Sequence, residues 1–265
     1  MNAQELLGAY DAQLRARVPE RLPPGETAER DGPLVRIFGG PGQGWVLYRD
    51  LAGLEGTELD ELIARQVEFF RERGDRFEWK YHGHDLPADL PERLLAHGFR
   101  AEDTETIVIA DVEAIAAEPV LPDGVTLREV TERRDFERIA GLEKAVWGDD
   151  GQDSWLPDML ESERTVDPDS LTVVVAEAAD TVVCAAWIRY ADGTDFGTLW
   201  GGATLPEWRR QGIYRATVAY RANLARQRGF RYLETDASDD SNPILQRLGF
   251  VPVTTTTPYV WSPGN

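Results

Sequence analysis

The sequence contains one cysteine, Cys184, so no intrachain disulfide can form and a thiolate metal site is excluded. That scarcity points to a reducing compartment. Positive charge is also short: 28 Lys and Arg stand against 47 Asp and Glu, a net charge of −19. Nucleic acids and anionic membrane faces are bound by basic surfaces, so a chain this acidic is expected to avoid both. No run approaches the roughly 18 apolar residues of a membrane span, and the first residues lack the basic and then apolar order of a secretory leader. A soluble, cytoplasmic protein is the expectation. Cys184 itself sits in Thr181-Val-Val-Cys-Ala-Ala-Trp-Ile188, a β-like apolar run, and reads as an inert core thiol.

Apolar residues are not short. They make up 42% of the chain and include eight Trp, eight Tyr and nine Phe, which excludes disorder and supports a packed core. The 265 residues suit two domains. The clearest break is Glu118-Pro-Val-Leu-Pro-Asp-Gly124, which predicts a first domain over 1–118, a linker over 119–124 and a second domain over 125–265. Periodicity predicts helices over 5–17, 59–73 and 90–96 in the first part, with strands over 45–48, 76–81 and near 106. In the second it predicts strands over 126–130, 171–178, 182–190, 199–204, 232–236 and 251–261. Helices are predicted over 134–146, 155–163, 212–228 and 243–248. This alternation implies an α/β fold in which each domain is a mixed β-sheet flanked by helices.

The two parts share a phrase. Arg71-Glu-Arg-Gly-Asp-Arg-Phe77 and Arg226-Gln-Arg-Gly-Phe-Arg-Tyr232 have the same pattern 155 positions apart. Each places a glycine where a helix ends and a strand begins. A second match follows in the same order, Gly98-Phe99 and Gly249-Phe250, so an internal duplication is expected.

Charge is unevenly spread. Residues 206–231 contain seven arginines and one acid, Glu207, a balance of +6, so the remainder carries −25. Three of these arginines, Arg209, Arg210 and Arg215, flank a predicted helix start, where cations oppose the helix dipole and need another reason to be present. A helix N-terminus with free amides and a glycine is a phosphate site, and a compact polyanion is the expected ligand. Arg221, Arg226 and Arg228 are instead expected to form solvated pairs with acids elsewhere.

Arg209-Arg-Gln-Gly-Ile-Tyr214, introduced by Pro206-Glu207, resembles the phosphate loop of the GCN5-related N-acetyltransferase (GNAT) family. Ser238 through Leu248-Gly249-Phe250 is similar to that family's following segment, and the resemblance extends in element order from Val125 to Trp261. It implies an acetyltransferase that uses acetyl-CoA as cosubstrate, without a metal. Arg209, Arg210, Gln211, Gly212, Tyr214 and Arg215 would contact the pyrophosphate, Ser238 would add a hydrogen bond, and Ala203 and Thr204 would lie beside the pantetheine arm. Three positions depart from the family pattern: Tyr214 replaces a Gly or Ala, Ser238 an Asn, and Leu245 the tyrosine that protonates the leaving thiolate.

The implied chemistry is direct attack of an amine on the thioester, with the oxyanion held by a strand amide. Trp200-Gly201-Gly202-Ala203 suits a bulge that would free such an amide. Glu234 and Asp236, two apart on a strand and on one face, are candidate bases, the plainer alternative being solvated strand-end carboxylates. Tyr259 is the substitute acid. His82 and His84 are read as a strand-end turn rather than a metal pair, and one or two of the tryptophans are expected to line an acceptor pocket. In the first part, offsetting the loop by 155 gives Leu54-Glu-Gly-Thr-Glu-Leu59, with two glutamates and no arginine. That part is therefore expected to be a degenerate acetyltransferase-like domain. The acceptor would be a small-molecule or peptide amine, with no nucleic-acid or membrane partner, and a homodimer is left open. The rival readings are a non-catalytic acetyl-CoA sensor and, against the acidic charge, transfer from aminoacyl-tRNA.

Overall fold

The computed structural model describes residues 2–40, 42–148 and 155–264. The N-terminal part runs α1 (Ala3–Gln13), β1 (Thr27–Asp31), β2 (Leu34–Phe38), β3 (Gly44–Leu47), α2 (Gly56–Arg73), β4 (Phe77–His82), α3 (Leu90–Ala96), β5 (Arg100–Ala101), β6 (Glu105–Asp111) and α4 (Val112–Ile115). The C-terminal part runs β7 (Val125–Val130), α5 (Arg133–Trp147), α6 (Leu156–Val166), β8 (Leu171–Ala178), β9 (Thr181–Tyr190) and β10 (Phe196–Thr204), then α7 (Ile213–Gln227), β11 (Tyr232–Ala237), α8 (Asn242–Leu248) and β12 (Val251–Trp261).

Local chemistry explains most boundaries. Asn2 and Glu5 form a capping box at the start of α1. Along α2 the buried residues Leu59, Leu62, Ile63, Gln66, Val67 and Phe70 recur at helical spacing, and Gly74 ends the helix in the left-handed conformation at φ 74°. Gly229, the matching glycine after α7, has φ 80°. The repeat is also geometric: β3 and β4 are parallel and joined through α2, as β10 and β11 are joined through α7.

The expected mixed sheet flanked by helices is present, and its strand order joins the two parts. All the strands form one 12-stranded sheet, β1-β2-β3-β4-β12-β6-β11-β10-β9-β8-β7, with β5 pairing β12. The last strand of each part has changed places. β6 pairs antiparallel with β11 of the C-terminal part, and β12 pairs antiparallel with β4 of the N-terminal part. The proline-rich segment separates the parts in chain order, but these two strands cross that division in space.

On one face, α2 and α3 cover a core containing Trp79, Phe70, Phe77, Tyr259 and Trp261. Farther along this face, α7 and α8 cover Val108, Leu199 and Leu233. On the other face, α1 packs Leu6 and Tyr10 against Ile107, Ile109, Phe196 and Tyr232, and α5 and α6 cover Val173, Val175 and Trp187. Cys184 is fully buried, and its thiol is pushed up to about 11 by burial, which keeps it an inert core group.

Because each exchanged strand completes the other part's sheet, the chain is expected to unfold as one unit. Trp79→Ala, in the N-terminal core, should cost about 3–5 kcal/mol. Tryptophan fluorescence and far-UV circular dichroism should then report coincident denaturant transitions in both proteins, whereas two separated transitions would contradict the coupling.

Candidate functional site

The phosphate-loop segment forms a 3₁₀ turn at Pro206–Trp208 followed by the start of α7. Arg210 at φ 63° and Gly212 at φ 85° turn the chain into the helix, leaving no side-chain cap on the first amides of α7. Such uncapped amides, with the dipole's positive end, are what an anion binds. The Arg209 Nε donates to the Thr204 carbonyl at 3.1 Å, and the Gln211 Nε2 donates to the Glu207 carbonyl at 3.0 Å, which ties the loop to its own entry. Arg209, Arg210 and Arg215 are exposed, and among the described residues none of them has a carboxylate partner. Three uncommitted cations beside uncapped amides fit a pyrophosphate.

Next to the loop the sheet opens. Parallel β10 and β11 pair only from Phe196↔Tyr232 to Thr198↔Glu234, after which β10 diverges and β11 continues with β6. Thr235 spans the start of the divergence, its Oγ1 donating to the Leu199 carbonyl at 2.8 Å. Where β10 runs free on this side, its register against β9 slips between Gly201 and Ala203, the bulge expected from the paired glycines. Gly201 and Gly202 have φ of 68° and 105°. A Cβ on Gly202 would stand 2.7 Å from the Tyr214 ring, so glycine is required on both counts. Ala203 and Thr204 are buried at the end of β10, with the Thr204 hydroxyl 3.3 Å from the Cys184 sulfur.

Arg221 departs from the sequence reading. It is 1% exposed and its guanidinium donates to the carbonyls of Thr217, Trp187 and Trp200, the last two at 3.0 Å. The cation therefore caps carbonyls beside the bulge instead of pairing with acids in solvent. Its place in an apolar helix stripe, at i+4 from Thr217 and i−4 from Ala225, was the available signal. Arg228 stacks on Tyr190 at 3.8 Å and Arg226 bonds Asn223 at 2.9 Å, and among the described residues neither forms the expected acid pair.

The opening leads into a cavity of about 1010 Å³ between the two parts. Glu234 and Asp236 line it together with Glu105 from β6 and Glu78, Lys80 and His82 from β4. Neither is a solvated strand end: Glu234 is buried, only 6% exposed, and Asp236 is half-buried. Burial opposes ionisation of Asp236, but the adjacent Lys80 ammonium overrides it and holds the carboxyl below its usual range. Burial and the charge of Asp236 push Glu234 well above the usual carboxylate range. Burial likewise raises Glu105, to about 7. His82 Nε2 lies 3.0 Å from the Tyr10 hydroxyl, and burial lowers its pKa. His84 follows in the turn, bonded to Asp11 and Thr254. Trp155 and Trp200, two of the candidate pocket tryptophans, line the cavity, joined by Trp45.

Tyr259 is not at this site. Pro258 lines the cavity, and side chains alternate along β12, so Tyr259 faces the opposite side, 7% exposed in the core under α2 and α3. Leu245 is buried under α8. Ser238 Oγ lies 3.2 Å from the Ser241 hydroxyl in the turn that leads into α8. Sequence reasoning missed Lys80, Glu78, Glu105 and Tyr10, because only the exchange of β6 and β12 brings the N-terminal part to the carboxylates of β11.

Arg221→Met would leave the Trp187 and Trp200 carbonyls without this donor and should destabilise the fold by about 1–3 kcal/mol in chemical denaturation.

Residues 135–250 match the model of the Acetyltransferase (GNAT) family. A comparison with curated proteins gave no match. Among solved structures, a GCN5-related N-acetyltransferase from Kribbella flavida is 17% identical, with 99% of this chain and 95% of that chain covered and a TM-score of 0.65. A tandem GNAT protein from the clavulanic acid biosynthesis pathway is 16% identical over 100% of this chain and 98% of its own, with a TM-score of 0.62. A functionally unknown conserved protein from Staphylococcus epidermidis reaches a TM-score of 0.67 at 14% identity, over 94% of this chain and 99% of that one. Residues 135–250 thus resemble the GNAT family in sequence, and at these identities the solved structures establish a shared fold.

Proposed function

We propose that the protein transfers an acetyl group from acetyl-CoA to an amine, using one site at the divergence of β10 and β11. The observation that carries this reading is the convergence of three features there: an uncapped helix start with free arginines, a glycine bulge, and a buried carboxyl of raised pKa. The amides of Gly212 onward, with Arg209, Arg210, Gln211, Tyr214 and Arg215, would hold the pyrophosphate. Ala203 and Thr204 would line the pantetheine arm, and Ser238 would contribute a hydrogen bond from the far side. Acetyl-CoA supplies the activated acyl carbon. An amide freed at Gly201–Gly202 would stabilise charge developing on the thioester oxygen, a contribution that can reach about 3–4 kcal/mol in such sites.

Glu234 is the better base of the two candidates. Its raised pKa gives it more affinity for the amine's proton, whereas Asp236 is committed to Lys80. Neither Leu245 nor Tyr259 supplies an acid at the site, and the thiolate leaves as a fair leaving group in its own right. The N-terminal part supplies the far wall of the cavity instead of a second cofactor site. The start of its α2 carries Glu55 at the cap and Glu58 in the first turn, which would repel phosphates. Among the described residues no helix is long and apolar enough to cross a membrane, which fits a substrate met in solution.

Acetyl-CoA at ~100 times its dissociation constant should stabilise the protein by about 2.7 kcal/mol in a thermal shift. Replacing both Arg209 and Arg210 with Ala should remove most of that gain, and an unchanged shift would refute the loop assignment.

Because Glu234 must be ionised to accept a proton, turnover should fall as pH drops through its raised pKa, above the ordinary range near 4.3. Glu234→Gln should lower the rate of thiol release by roughly 10²-fold and flatten that limb of the pH profile.

A further inference from the structure

The charges around the cavity do not balance once partners are assigned. Arg15 is paired with Asp85 at 2.7 Å, Arg189 with Glu163 at 2.7 Å, and Arg76 with Glu102 at 3.8 Å. Lys80 is taken by Asp236, and Arg17 donates to the Asp192 carbonyl at 3.3 Å. Among the described residues three lining carboxyls have no ion pair of their own and share only the field of Lys80: Glu234, Glu105 and Glu78, the last receiving one hydrogen bond from Gln43 at 2.9 Å.

A second observation concerns Glu234 alone. More than nine-tenths buried and facing the cavity, it has another carboxyl, Asp236, as its hydrogen-bonding neighbour. Buried carboxyls are ordinarily paired with a cation or fully hydrogen-bonded, whereas the neighbour of Glu234 is a second acid. The three groups are not at one point. Glu234 is on β11 opposite Ile109 of β6, Glu105 lies four residues farther along β6, and Glu78 is three strands over on β4. They make an acidic strip across the floor of the cavity, with the faces of Trp45 and Trp155 on its wall. Aromatic faces and unpaired carboxylates select cations.

Resting on the acyl-transfer reading, we infer that the acceptor is an elongated dication: the attacking amine lies at Glu234 and a second cationic group, several ångströms away, is held by Glu105 and Glu78. Linear diamines and the side-chain amine of a lysine-type dication both satisfy this chemistry.

The test measures thiol release from acetyl-CoA with the full chain, comparing propylamine to hexylamine with the matching α,ω-diamines and with lysine amide. The diamines should exceed their monoamine counterparts in kcat/KM by about tenfold or more, the size expected of a charge-assisted contact. Preference for lysine amide over the linear series would assign the source as an amino acid or peptide. Glu105→Gln and Glu78→Gln should each bring the diamine-to-monoamine ratio toward one. A binding measurement stands apart from turnover. With coenzyme A present, calorimetry near pH 7 in buffers of different ionisation enthalpy should show proton release on diamine binding, because a cation favours ionised Glu105, whose pKa is about 7. Glu105→Gln should reduce that release. Equal use of monoamines and diamines, with no proton release, would overturn the inference and leave acyl transfer intact. If no amine releases thiol, the acyl-transfer reading fails, and the calorimetry alone then decides whether the strip binds a dication.

Discussion

The parting of β10 and β11 is the constraint on which the site depends. Three residue pairs hold the strands together, and past Glu234 they separate while β11 stays paired with β6 along its other edge. The free stretch of β10 can then carry a glycine bulge that a continuous ladder would not tolerate, and the gap becomes the passage from the phosphate loop to the cavity. Two side chains from neighbouring elements hold this geometry: Thr235 caps Leu199, and buried Arg221 caps Trp187 and Trp200. Each replaces ladder hydrogen bonds that the divergence removes, which is what buried carbonyls require.

The strand exchange explains why an N-terminal part with an acidic pre-α2 loop remains integral to the site. By giving up β6 and accepting β12, it places Glu105, Glu78, Lys80 and His82 on the floor shared with Glu234 and Asp236. The charges there are unequal in kind. The pair of Lys80 with Asp236 is self-contained and fixes the floor electrostatically. Glu234 is left with a high proton affinity next to the opening. One fold thus produces a carboxyl of lowered pKa and one of raised pKa, two residues apart on a strand.

Much of this was legible in the sequence. The turn into α7, the bulge at Gly201-Gly202 and the glycine-ended helices are local features, set by backbone conformations that few residues adopt, and each lies where its residues pointed. The strand expected over 251–261 and the helix over 90–96 match their observed bounds. β1 and β2 went unread because β1 is a polar, largely exposed edge strand, although Gly32-Pro33 forms a two-residue hairpin loop there. Strand exchange, the burial of Arg221 and the displacement of Tyr259 are long-range outcomes. Alternation placed Tyr259 on one of two faces, but only the pairing of β12 with β4 decides that this face is the N-terminal core.

The account stands most directly on where acetyl-CoA binds. A crystal structure of the protein grown with acetyl-CoA should show the pyrophosphate on the amides after Gly212, the pantetheine between the separated β10 and β11, and the thioester carbonyl directed at the Gly201–Gly202 bulge on the side of Glu234. Cofactor bound before α2 in the N-terminal part, or with its thioester remote from the bulge and Glu234, would contradict it.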